Sequence, residues 1–139
     1  MKKFLAPLLL ILAASSTTQA APPVGTFGHE FTSSKDEPVW SVEAKGDSYK
    51  VLTHGEGKRK SAHTLTPEER KAFWTKMAWV AGSHQDSECI GDSAELICYV
   101  PTKTRQSIPD LQGYASDFFH YDKVGGIMEI RKISGAKSR

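Results

Sequence analysis

The chain is short of the features that announce an enzyme, a metalloprotein or a membrane span. Only two of its 139 residues are cysteines, Cys89 and Cys98. A C-x8-C pair is poor material for a zinc centre, and in an oxidising compartment it reads as one disulfide. No G-x-S-x-G elbow and no H-E-x-x-H helix occurs, so neither a serine hydrolase nor a zinc protease of those types announces itself. The glycines of Gly55-Glu56-Gly57-Lys58 lack the spacing of a phosphate loop and read as a tight turn. No internal repeat or low-complexity segment is visible.

Excess charge of one sign is also missing. The formal +2 of the whole chain comes from Lys2 and Lys3, the n-region of an expected export signal over residues 1–20. Its apolar stretch, Phe4 to Ala14, is too short to span a bilayer. Thr18-Gln19-Ala20 offers small residues at the positions a signal peptidase reads. No cysteine follows closely, so a lipid anchor is not expected. The expected mature part is one domain, residues 21–139, in which Lys+Arg falls to 16 and equals the 16 Asp+Glu. A neutral domain gives no electrostatic reason to expect nucleic acid or an anionic membrane as partner. The compartment expected is periplasmic or secreted.

What is present is one strong helical stretch, TLTPEERKAFWTKMAWVAG, residues 64–82. Thr66 is a good N-cap, Pro67 suits the first helical position, and Glu69 completes a capping box. Gly82 can take the left-handed conformation that stops a helix. A helix over 67–81 therefore puts Phe73, Trp74, Met77, Val80 and Ala81 on one side, to lie on a sheet. Trp79 falls among the polar residues. Either the following loop covers it, or it anchors a partner.

The rest reads as strands and turns. GTFGHEF, residues 25–31, offers a first strand. Residues 39–54 read as a hairpin about Gly46-Asp47. Pairing Trp40 with Thr53, Val42 with Val51 and Ala44 with Tyr49 gathers the apolar residues on one face and sets Glu43 against Lys50 on the other. Arg59 to Leu65 offers a further strand. Leu96 to Val100, apolar on both sides, suits a strand covered on both faces. A last hairpin over 117–133 is expected to turn on Val124-Gly125, pairing Tyr121 with Met128, Phe119 with Ile130, His120 with Glu129 and Asp117 with Lys132. The fold expected is α+β: an antiparallel sheet of about six strands with one main helix on a face.

Two loops carry the candidate contact residues. In Ser83 to Glu88, His84, Asp86 and Glu88 alternate, so an extended segment points all three one way, as metal ligands or as a solvated edge. Thr102 to Ser116 is a long connection with Arg105, Asp110 and Tyr114 as its contact residues. It is either a recognition loop or a crossover packed by Ile108 and Leu111. His120 and Asp122 share one strand face, which reads as solvated. No cofactor or metal is expected. Size, export and a disulfide suit a protein-binding module, an inhibitor or immunity-type protein that blocks a toxin or a cell-wall or lipid hydrolase. Trp79, His84, Asp86, Arg105, Asp110 and Tyr114 are the contact residues it would use. A binder of a small ligand, a structural envelope protein and a small hydrolase are the alternatives.

Overall fold

The structure, a computed structural model, describes residues 21–30, 36–92 and 94–133. The expected export signal, the basic tail from Ser134 and part of the polar segment before Pro38 lie outside these residues.

The hairpin over 39–54 has the register that its alternation requires. β2 (Trp40–Lys45) and β3 (Ser48–Thr53) pair Trp40 with Thr53, Val42 with Val51, Ala44 with Tyr49 and Glu43 with Lys50. β1 (Gly25–Gly28) lies on one side of it and β4 (Lys58–Thr64) on the other. β5 (Glu88–Gly91), β6 (Glu95–Tyr99), β7 (Phe118–Asp122) and β8 (Gly126–Lys132) continue the meander. β8 then pairs with β1, Phe27 opposite Lys132 and Gly28 opposite Arg131.

The expected α+β sheet under a main helix is therefore corrected. Eight antiparallel strands close into a barrel in sequence order, β1 to β8. Closure satisfies the backbone groups that an open sheet leaves at its edges. The strand missed in the sequence is β5, four residues long, whose place is set by its partners in space.

Two apolar clusters result, one on each side of the β5–β8 wall. Inside the barrel, Phe27, Trp40, Val42, Val51, Ala62, Ile90, Ile97 and Ile130 fill the lumen. Outside, Cys89, Leu96, Cys98, Phe119 and Tyr121 are covered by Phe73, Trp74 and Trp79 from the helical segment and by Ile108 and Leu111 from the long connection. Burial of such side chains is worth roughly 1.5–3 kcal/mol each.

The helix starts where its cap predicts and stops early. α1 spans Pro67–Lys76, with the Thr66–Glu69 capping box formed in both directions. It does not continue to Ala81. Met77 caps it and Ala78 takes a left-handed conformation, φ 56°. The Ala78 N–H donates to the Thr75 carbonyl and the Trp79 N–H to that of Trp74, a Schellman stop. Val80 is consequently half exposed and Ala81 exposed, so neither belongs to a buried helix face.

The last hairpin is shifted by one residue from expectation. Phe118 pairs with Ile130, His120 with Met128, Tyr121 with Ile127 and Asp122 with Gly126. The Asp122 carboxylate accepts from the N–H groups of Val124 and Gly125, which fixes a longer turn. A slip of one exchanges the faces. Phe119 and Tyr121 go outward beneath α1, and His120 goes into the barrel, 3 % exposed.

Candidate functional site

The residues singled out in the sequence sit mostly within the packed layer. Trp79 is 7 % exposed. Its ring meets Phe73, Trp74 and Phe119 edge-on, and its Nε1–H donates to Asp110 Oδ2 at 2.8 Å. The Schellman stop swings it from the polar side of the helix onto the wall. It is therefore no exposed anchor, and Asp110 is occupied in holding it.

Arg105 is 5 % exposed. It lies at the end of the short helix α2 (Thr102–Arg105) and binds the carbonyls of Val100 and Tyr114, the Thr102 hydroxyl and the Asp117 carboxylate. Tyr114 is half-buried against the outer cluster, and burial, then Glu129, Asp110 and Glu30, push its phenol pKa up. Thr102 to Ser116 is thus a packed crossover, with Ile108 and Leu111 at 0 % exposure.

His84 is buried beside Trp74 in a 3-10 turn, Ser83–Asp86, and Asp86, the one acid of that turn, is exposed. The turn is not extended, so His84, Asp86 and Glu88 do not share a face. Glu88 stands 3.9 Å from Arg70, and burial raises its carboxyl pKa against the pull of that guanidinium. Among the described residues, no three of His, Cys, Asp and Glu converge in a way that could hold a metal ion. Cys89 and Cys98 form the expected disulfide, directly opposed on β5 and β6 with Cα atoms 4.1 Å apart.

One mouth of the barrel carries a polar chain absent from the sequence reading. His120 stacks on Trp40, ring centroids 4.1 Å apart, and its Nε2 meets Glu95 Oε1 at 2.8 Å. Glu95 also binds Lys60 at 3.3 Å, and Lys60 stands 3.5 Å from Asp92. Burial works against the charged forms of Lys60 and Asp92. The carboxylates around Lys60 still raise it, and the Ala94 and Glu95 N–H groups with Lys60 lower Asp92. These pairs close the gap where β4 and β5 meet through only His63–Gly91 and Thr64–Ile90. The void behind them is about 20 Å³, room for one water.

The other half of the wall is different. Among the described residues, β1 to β4 turn their outer face to solvent, and no helix covers it. Register aligns Thr26, Ser41, Leu52 and Arg59 in one row across four strands. The next row sets Glu43, Lys50 and Ser61 side by side, with Lys50 Nζ donating to Ser61 Oγ at 2.6 Å. Ser41 Oγ lies 2.7 Å from His54 Nε2 and 3.2 Å from Thr26 Oγ1. All of these residues except Ser61 line a concavity of about 650 Å³, rimmed by Val24, Pro38, Lys132 and Ile133. A second cleft of about 400 Å³ lies beside α1, but its charges are largely paired: Glu69 with His63, Asp92 with Lys60, Lys76 with the Tyr121 hydroxyl.

Sequence reasoning missed this face. The one available sign was the 39–54 alternation, which already put Glu43 and Lys50 on the side away from the apolar residues. What it did not show was that the lumen takes the apolar side and that none of the described residues packs on the other.

Fold and face together define a class: a side-chain-filled meander barrel, one half-wall armoured by helices and the other, among the described residues, bare, concave and polar. Comparison with protein-family models found no match, and neither the curated proteins nor the solved structures gave one.

Proposed function

We propose that this protein is an exported protein-binding module of the inhibitor or immunity type, which occludes a toxin or a cell-wall or lipid hydrolase in the periplasm. The bare concave wall of β1–β4 carries this reading. It is built on strands rather than loops, so its donors and acceptors are pre-organised, which lowers the entropic cost of binding. Phe27, Trp40, Val42, Val51, Ala62, Ile90, Ile97 and Ile130 fill the lumen, which favours recognition on the outside of the barrel. The Cys89–Cys98 disulfide suits an oxidising compartment. No helix among the described residues is long and apolar enough to cross a membrane.

The reading differs from the sequence expectation in its contact residues. Arg105, Asp110, His84 and Trp79 hold the helical layer together, and Thr26, Ser41, Lys50, Leu52, His54 and Arg59 replace them. The test is capture of envelope proteins by the purified protein and by a Ser41→Tyr/Leu52→Tyr variant. The hydrolase that is captured should lose activity when the wild-type protein is added. The blocked face should retain it at least about tenfold more weakly, an effect of hot-spot size. Equal capture by both proteins, or a captured enzyme whose rate is unchanged, would sink the proposal.

The hydrogen-bonded Ser41–His54 pair favours one second reading, a small hydrolase with Ser41 as nucleophile. Ser41 lies mid-strand between β1 and β3, where ladder bonds claim the backbone N–H groups that an oxyanion needs. Ester turnover abolished by Ser41→Ala would establish that reading in place of the first.

A further inference from the structure

The charge on the bare wall is uneven, although the expected mature domain is balanced at 16 Lys+Arg and 16 Asp+Glu. Lys50, Arg59 and Lys132 line the concavity against a single acid, Glu43. Glu43 already has Lys45 at 3.8 Å. The nearest partner of Lys50 is a hydroxyl, not a carboxylate. Among the described residues, the side chains of Arg59 and Lys132 make no hydrogen bond or ion pair. Among the described residues, Lys60 is paired with Asp92 and Glu95, Arg70 with Glu88 and Arg105 with Asp117, while Lys71, Lys103, Lys123 and Arg131 lie outside the concavity and likewise have no acidic partner.

We propose that the surface docked on this wall is acidic, with carboxylates of a partner protein set against Arg59 and Lys50. This rests on the protein-binding reading above and names the chemistry of its partner. Arg59 stands at the end of the Thr26–Ser41–Leu52 row, and its planar guanidinium can hold a carboxylate through two parallel hydrogen bonds. Lys50 stands on the strand alongside, in the next row. Ser41 and His54 give hydrogen-bonding groups between the cations and the β1 edge, and Leu52 gives the apolar centre. Such an arrangement steers an acidic surface inward and orients it on arrival. The expected signature is a strong dependence of the association rate on ionic strength.

The minimal probe is poly-L-glutamate, titrated into the isotopically labelled full protein and followed by amide NMR. Shifts should concentrate on residues 26, 41, 50, 52, 54 and 59 and spare the helical layer about Trp79 and Asp110. Affinity should fall at least about tenfold in Lys50→Glu/Arg59→Glu, a substitution of one part-buried and one exposed group whose folding the same spectra report. Lys50→Gln/Arg59→Gln gives a second, milder variant and should lose part of the binding. Shifts spread evenly over the molecule, or binding that survives charge reversal, would overturn the proposal. Equal or tighter binding of phosphatidylglycerol vesicles or of a single-stranded oligonucleotide would overturn it too, because the wall would then serve a lipid or a nucleic acid. The two proposals fail separately. If Ser41→Tyr/Leu52→Tyr leaves hydrolase capture intact while poly-L-glutamate still maps to the wall, the acidic partner is retained and the inhibitor reading is lost. If the blocked face loses a captured hydrolase while charge reversal leaves it bound, the reverse holds.

Discussion

Ala78 bears backbone strain that a glycine would not. Its φ of 56° is uncommon for a residue with a Cβ, and it stands where Schellman stops favour glycine. Ala78→Gly should therefore raise stability by up to about 1 kcal/mol, read as a higher urea midpoint. At the other end of α1, Thr66→Ala removes the acceptor of the Glu69 N–H and should cost about 0.5–2 kcal/mol. Asp122 sets the acid limit of the last turn. The Gly125 N–H foremost, then that of Val124, holds its carboxyl pKa below the usual carboxylate range. A depressed carboxylate contributes stability above its unfolded pKa and loses it as pH falls through the folded value. Asp122→Asn, which can still accept both bonds, should be less stable than wild type at neutral pH and show a shallower loss of stability towards about pH 3. Equal slopes in acid titrations followed by circular dichroism would remove Asp122 from that role.

At the scale of elements, the β5–β6 hairpin is the most constrained piece. Gly91 has φ 152°, and a Cβ there would lie 2.1 Å from the Glu95 carbonyl oxygen. Gly91→Ala should cost about 2 kcal/mol or more in thermal unfolding, because backbone must move to admit the methyl. The disulfide ties the other end of the same hairpin. Replacing Cys89 and Cys98 together by alanine should cost about 2–4 kcal/mol, with the strand register unchanged in amide NMR. This hairpin also shows why the sequence was only partly legible. The Cys pair and the buried character of Leu96 to Val100 could be read locally. β5 itself could not, since ECIG has no period of its own and becomes a strand through β4 and β6. The last hairpin failed for a related reason. Matching opposed charges favoured one register, and two turn hydrogen bonds to Asp122 outweighed it.

For the molecule as a whole, the β5–β8 wall belongs to both apolar clusters. Loosening either side exposes the other, so barrel and helical layer should unfold together. Far-UV circular dichroism and the fluorescence of a Trp40→Phe variant, which reports Trp74 and Trp79 only, should give coincident transitions. Separate midpoints would mean that the layer is an independent unit. Among the described residues the half-wall of β1–β4 has no such second layer, and the proposed binding role rests on that asymmetry. Contacts between neighbours in the chain determined the start of α1, the register of the 39–54 hairpin and the disulfide, because caps, tight turns and alternating pairs act over a few residues. Tertiary structure alone decided that the sheet closes, that His120 points inward, that Trp79 is covered and that Thr26, Ser41, Leu52 and Arg59 share a row. Those outcomes depend on which surfaces meet after the strands curl, and that is settled by burial across the whole barrel.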